Sequence, residues 1–342
     1  VPSPTESPIR LRSACVLGAG SWGTALAQVI AGNGFGVTLW DIDPARVEAL
    51  ARTRRNDRYL PGMPLARAIA FEAELARAVT GRDLLLLAVP SHGFADCLKR
   101  LRPLVSSRPR IAWGTKGLDP SSGRLLHQVV AEILGGEVMM AALSGPTFAR
   151  EVMRGLPTAI TVASPDPAYA AAVAELLHND FFRTYTNDDL IGVQLGGAVK
   201  NVLAIAAGVS DGMGFGANAR AALITRGLAE MMRLGEAMGA RPKTLMGLAG
   251  VGDLILTCTD DQSRNRRLGL GLGRGKPVEA IKAEIGQEIE GILTARLVWD
   301  LARRLQVEMP IVEQVHAILY QGLAPKVAVH NLLLRDRKPE TV

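Results

Sequence analysis

The sequence predicts an α/β chain: an N-terminal doubly wound parallel sheet followed by an all-helical C-terminal domain. Three observations predict it. Short apolar runs alternate with helical stretches through the first half, as βαβ units require. A Gly-rich turn, Gly18-Ala19-Gly20-Ser21-Trp22-Gly23, separates the first apolar run from the first helical one. From about Asp188 helical periodicity continues almost to the end, with no convincing strand. The 342 residues suffice for two domains. The boundary falls near residue 190, giving a sheet domain over 13–190 and a helical domain over 191–342. Residues 1–12, VPSPTESPIRLR, are Pro- and Ser-rich and read as a disordered leader without the apolar stretch of a signal peptide.

The elements follow in order. Cys15–Leu17 ends a first strand, and Thr24–Gly32 is a helix of small residues. Gly36–Trp40 is the second strand. Pro44–Arg52 is a helix with Asp43 as its cap and proline in its first turn. Asp83–Val89 (DLLLLAV) is unbroken and apolar, as suits a strand covered on both faces. Arg110–Trp113 and Val138–Leu143 are further strands, with the amphipathic helix Leu125–Leu134 between them. Thr158–Ala163 and Phe182–Tyr185 extend the sheet. In the second half, glycines at 212–216, 247–252 and 269–275 interrupt the helices.

Composition excludes several functions. The net charge of +6 is mild and unclustered, so no nucleic-acid footprint is evident. Cys15, Cys97 and Cys258 are far apart and odd in number. That argues against a disulfide framework or zinc site, and for a reducing compartment such as the cytoplasm. Cys258 reads as a packed thiol. Residues 191–219 are apolar but interrupted by Lys200 and Asp211, and read as a buried helix pair rather than a membrane span.

In an open parallel sheet, ligands bind beyond the carboxyl ends of the strands. After the first strand, Gly18 permits a tight turn, Gly20 lets a pyrophosphate approach the backbone, and Gly23 allows close helix–strand packing. Ser21 and Trp22 complete this turn, whose context predicts a Rossmann-like dinucleotide site. After the second strand comes Asp41, 23 residues beyond Gly18. That spacing suits the acid that accepts the adenosine ribose 2′-hydroxyl and so favours NAD over NADP. Helix capping is the other reading of Asp41. His92 follows the next strand as an ordinary loop residue. Lys116 stands between glycines at a strand end, where it can meet an anion. Ser144-Gly145-Pro146-Thr147-Phe148-Ala149 is another turn with open N–H groups and a hydroxyl.

In the helical domain, Lys200 is the one charge in Leu195–Val209, with Asn201 beside it. Such a lysine either snorkels to an edge or serves as a general acid/base. Asp253 is the lone acid among apolar residues and glycines, and could orient such an ammonium. Ser263-Arg264-Asn265-Arg266-Arg267 groups a hydroxyl, a guanidinium fork and an amide, which suits phosphate; a solvated charged loop is the alternative.

Together the segments GAGSWGTALA, WGTKGL, SGPTFAREV, GGAVKNVLAIAAG, GLAGVGDLILTCT and the SRN/EIEG pair resemble bacterial-type NAD(P)-dependent glycerol-3-phosphate dehydrogenase, from about residue 13 to about residue 320. The resemblance implies interconversion of dihydroxyacetone phosphate and sn-glycerol 3-phosphate, feeding phospholipid synthesis. It implies Lys200 as the proton donor and acceptor, with Asp253 beside it. Lys116, Gly145, Thr147, Asn201, Asp253, Ser263, Arg264 and Asn265 would contact substrate. Ser21, Trp22, Lys116, Ala149, Arg264, Glu288 and Glu290 would border the dinucleotide. The family often carries Trp-Ala-Arg after the second strand, where this chain has Trp40-Asp41-Ile42, a departure that favours NAD. Two rivals stay open at this point: a dehydrogenase for unphosphorylated hydroxy or keto acids, and a non-enzymatic NAD(H) sensor. Broad apolar helical faces point to a homodimer.

Overall fold

A computed structural model describes residues 9–334. The chain divides into two compact units, Val1–Gln194 and Leu195–Val342. The first contains eight strands among the described residues: β1 (Ser13–Leu17), β2 (Gly36–Trp40), β3 (Ile69–Phe71), β4 (Leu84–Leu87), β5 (Arg110–Trp113), β6 (Met139–Ser144), β7 (Thr158–Ala163) and β8 (Phe182–Asn187). Their order in one sheet is β3-β2-β1-β4-β5-β6-β7-β8. The chain runs outward from β1 in both directions, so a switch point lies between β1 and β4, where Leu17 pairs with Leu87. β4 is buried along its whole length, which explains its unbroken leucines.

The sheet is mostly parallel, as a doubly wound fold predicts, with one reversal. β7 runs antiparallel to β6, with Ser144 opposite Thr161. The only helix between them is Ala149–Met153, five residues long. At ~1.5 Å per residue it cannot carry the chain back along a six-residue strand of ~20 Å. The chain therefore reverses and β7 starts where β6 ends.

Other differences are local. The first helix begins at Ser21 rather than Thr24, so the second half of the Gly-rich turn is already helical. The three-residue edge strand β3 and the helices Leu75–Val79 and Ser91–Leu101 were not foreseen. The first two are too short to show a period. Of the segment 1–12 read as a disordered leader, residues 1–8 lie outside the described residues. Its end is tied to the sheet: Leu11 is buried, and the Arg12 N–H donates to Asp83 Oδ2 at 2.9 Å.

The second unit is helical throughout its described residues. Its central element is Leu190–Gly212, which starts in the first unit. By length and composition this helix could cross a bilayer, but 94% of its apolar window is buried inside the protein. Helix Arg264–Gly273 packs against it backbone to backbone. A Cβ on Gly208 would collide with the Arg266 carbonyl, and one on Gly269 with the Ile205 carbonyl. The glycines at 269–273 therefore lie within a helix rather than interrupting it. They permit the close approach that small-residue pairs four apart allow.

Candidate active site

The Gly18–Gly23 turn has the backbone geometry its glycines predict. Gly18 has φ +112°, and a Cβ there would lie 2.8 Å from the Ala88 carbonyl oxygen. A Cβ on Gly23 would collide with the Gly18 carbonyl. A Cβ on Gly20 would meet nothing within 4 Å, so space lies open in front of the turn. Gly20 is the N-cap of helix Ser21–Gly32 and offers no side-chain acceptor to its first N–H groups. Open space before uncapped N–H groups at the positive end of a helix fits a pyrophosphate. Asn56 braces the turn, donating to Ala19 O at 3.0 Å and Thr24 Oγ1 at 2.8 Å.

Asp41 is buried directly behind this turn. Its Oδ2 accepts the Ala19 N–H at 2.7 Å, and its Oδ1 accepts the Asp43 N–H at 3.1 Å and Arg46 Nη1 at 2.8 Å. Asp43 alone caps helix Pro44–Thr53, accepting from the Arg46 N–H at 3.3 Å. The two acids, ambiguous in sequence, thus have separate roles.

The remaining strand ends of this unit form a second polar group. Lys116 Nζ and Thr147 Oγ1 both donate to Gly145 O at 3.1 Å. Trp22 lies against Gly114, where a Cβ would collide with its indole nitrogen. Ala149 begins helix Ala149–Met153 and packs against the sheet core. His92 is exposed in the first turn of helix Ser91–Leu101, not in a loop.

In the second unit, Lys200 does not snorkel. It is 6% exposed and Asp253 1% exposed, and their side chains form an ion pair. Lys200 Nζ also donates to Thr257 Oγ1 at 3.0 Å, while that hydroxyl donates to the Asp253 backbone carbonyl at 2.6 Å. A single π-type turn, Leu248–Gly252, delivers Asp253 to the start of helix Asp253–Thr259. Such turns are frequent at functional sites.

Next to Lys200, Asn201 Oδ1 accepts from Asn265 Nδ2 at 2.9 Å, and Asn265 Oδ1 accepts the Gly291 N–H at 2.9 Å. These bonds tie the helix that carries Lys200 to helix Arg264–Gly273 and to Gly291, which follows the half-buried Glu290 in the first turn of helix Glu290–Arg304. Ser263 caps the former helix, accepting the Arg266 N–H at 3.2 Å. Arg264 opens it, half-buried and without an ion pair among the described residues. Glu288 is exposed. Cys258 is fully buried, and that burial pushes its thiol up to about 12, so it is a packed group rather than a nucleophile.

Three participants escaped the sequence reading. Thr257 could have been found as the hydroxyl one helical turn after Asp253. Arg46 carried no signal beyond its place in a helix. Arg266 looked like part of a solvated basic run. Yet it is buried and paired with Asp211, and it donates to Asp261 Oδ1 at 2.9 Å and Cys258 O at 3.1 Å. Burial draws its pKa down, but the two carboxylates outweigh that and hold it above the ordinary guanidinium value.

Comparison with known proteins gives a concordant picture. Residues 13–170 match the N-terminal region of NAD-dependent glycerol-3-phosphate dehydrogenase, and residues 189–330 match its C-terminal region. A glycerol-3-phosphate dehydrogenase (NAD(P)+) of Methylococcus capsulatus is 60% identical over 326 residues, covering 95% of this chain and 97% of the relative. One from Colwellia psychrerythraea is 56% identical, covering 95% and 98%. The crystal structure of a glycerol-3-phosphate dehydrogenase from Coxiella burnetii superposes with a TM-score of 0.92 at 48% identity, covering 96% of this chain and all of that one.

Proposed function

The chain belongs to the NAD-dependent glycerol-3-phosphate dehydrogenase family, and from that premise we propose how its own residues carry the reaction. It is an oxidoreductase that interconverts dihydroxyacetone phosphate and sn-glycerol 3-phosphate with NAD or NADP. In our reading, the sheet unit binds the dinucleotide and the helical unit carries substrate binding and catalysis. The observation that carries the mechanism is the buried Lys200–Asp253 pair.

The nicotinamide, when bound, supplies the hydride. In the reducing direction, charge develops on the ketone oxygen, and Lys200 Nζ donates a proton to it. Asp253 and Thr257 fix the direction of the ammonium, since both take hydrogen bonds from it. In the reverse direction the neutral amine takes the proton back from the C2 hydroxyl. Asn201, held by Asn265, is a further substrate contact. Arg264 and Ser263, at a helix N-terminus, hold the phosphate, where the guanidinium and the positive end of the helix both favour an anion. Anchoring the phosphate converts remote binding energy into alignment of the carbonyl. Lys116, Gly145 and Thr147 are proposed substrate contacts of the sheet unit. Ser21, Trp22, Ala149, Glu288 and Glu290 border the dinucleotide, and Asp41 serves its ribose.

The product would feed phospholipid synthesis. The three cysteines are buried and unpaired, which supports a cytoplasmic location. A homodimer is proposed on the apolar surface of the helical unit, where Phe215, Leu333 and Leu334 are exposed. The deciding experiment is loss of NADH absorbance on adding dihydroxyacetone phosphate. Turnover that requires the phosphate, in the wild type and not in Lys200→Ala, supports the reading. Equal turnover of unphosphorylated keto acids would refute it.

A further inference from the structure

The sequence places cofactor preference in Asp41 alone. The structure adds a guanidinium from the next helix. Three of the roughly four acceptor positions of the Asp41 carboxylate are taken, one of them by Arg46 at 2.8 Å. The Asp41 side chain is 6% exposed and that of Arg46 22%, so the guanidinium lies on the outer side of a buried acid. Arg46 also reaches Asp43 at 3.5 Å and stands 5.6 Å from the centre of the Tyr59 ring. Arg58 approaches the same ring at 5.5 Å. Two guanidiniums therefore share one aromatic ring beside the acid that follows β2.

We propose that Asp41 and Arg46 act as a pair that sets dinucleotide choice. Asp41 holds Arg46 in an NAD-selecting arrangement, and Arg46 is the residue that takes a ribose 2′-phosphate once Asp41 releases it. The proposal rests on the reading of Gly18–Gly23 as the dinucleotide turn. A ribose 2′-hydroxyl needs an acceptor, which Asp41 provides. A 2′-phosphate carries about −1.5 to −2 charges and meets a buried carboxylate at the same place. Its natural partner is a planar fork that binds phosphate in bidentate fashion, and that fork is turned towards Asp41 and Asp43. Asp41 thus opposes the phosphate twice, by repulsion and by occupying Arg46. The chain retains the means to bind NADP and is biased against it.

The test is equilibrium binding of NADH and NADPH to the full chain without substrate, read by nicotinamide fluorescence and calorimetry. The wild type binds NADH more tightly. Asp41→Ala tightens NADPH about tenfold or more, the scale of one charged hydrogen bond, and weakens NADH. Arg46→Ala alone changes either affinity little, because in the wild type Asp41 already withholds the guanidinium. In the double variant the NADPH gain of Asp41→Ala disappears. Asp41→Asn keeps an acceptor for the Ala19 N–H and shifts the ratio in the same direction, which guards against misfolding of the alanine variant. An equal NADPH gain with and without Arg46 overturns the paired mechanism, as does an unchanged ratio in Asp41→Ala. If the folded wild type binds neither dinucleotide, the reading of the turn itself fails instead.

Discussion

Lys200 and Asp253 stand 53 positions apart in the chain and form a buried ion pair, closed by the Thr257 hydroxyl. Removing one member of such a pair leaves the other charge buried and unmatched, at a cost of about 3–5 kcal/mol. In the proposed mechanism, catalysis and stability are therefore entangled at this pair. Separating them requires a substitution that keeps the charge but moves the proton.

Lys200→Arg is that substitution. A guanidinium keeps the ion pair with Asp253 but does not release its proton near neutral pH. We expect its melting temperature to stay near wild type while kcat falls about 10²–10⁴-fold, the usual contribution of a positioned acid. Dissociation constants for NADH should be unchanged. A kcat within a few-fold of wild type would remove Lys200 from the proton-transfer step.

Arg264 should act on KM rather than on folding. It is half-buried at the start of its helix, with no ion pair among the described residues to lose. Arg264→Ala removes a charge-assisted bond of about 1.5–3 kcal/mol, so KM for dihydroxyacetone phosphate should rise about 10–100-fold with the melting temperature unchanged. Competitive inhibition by inorganic phosphate should weaken in parallel. An unphosphorylated ketone tested beside it should show no such penalty.

His127 introduces a pH dependence of stability. Burial lowers its pKa from 6.5, against a smaller opposing effect of its hydrogen bond with Gln194, 2.9 Å from Nδ1. Between the folded and unfolded pKa values the unfolded chain binds more protons, so stability rises with pH there. Stability is thus full above about 6.5, falls as pH drops through that value, and stops falling below the folded pKa. Thermal melts from pH 8 to pH 5 should show this decline. His127→Gln should flatten part of it, and an identical slope in that variant would assign the decline to other groups.

Much of the candidate site's geometry was legible because its residues are exceptions to pattern. Lys200 and Asp253 are lone charges in apolar runs, and Gly18 and Gly23 occupy positions where a Cβ collides with backbone. What stayed hidden depends on tertiary partners. Nothing in the apolar pattern of β7 announces its reversal, which appears only in its pairing with β6. Arg266 reads as surface charge until Asp211, 55 residues earlier, is seen against it. Asp41 and Asp43 have similar local context, and their partners tell them apart: the Ala19 N–H at 2.7 Å for Asp41, the Arg46 N–H at the helix start for Asp43.

The glycines of helix Arg264–Gly273 run against local helix propensity and serve tertiary packing instead. Glycine costs about 1 kcal/mol within a helix relative to alanine, so Gly269, Gly271 and Gly273 suggest a broken helix. Gly269 is nevertheless required, since a Cβ there would collide with the Ile205 carbonyl of the facing helix. Relief demands that the two helices separate, and the facing helix carries both Lys200 and Asn201. Gly269→Ala should therefore lower the melting temperature despite its better helix propensity. In whatever fraction folds, it should also loosen the Asn201–Asn265 bond, raising KM for dihydroxyacetone phosphate while NADH binding persists. Gly275→Ala is the control, because a Cβ there meets nothing within 4 Å. Its φ of +82° predicts only the ordinary strain of a left-handed residue, about 1–2 kcal/mol, with KM unmoved. If both variants lowered stability equally and left KM alone, close helix approach would not be what positions Asn201 and Asn265.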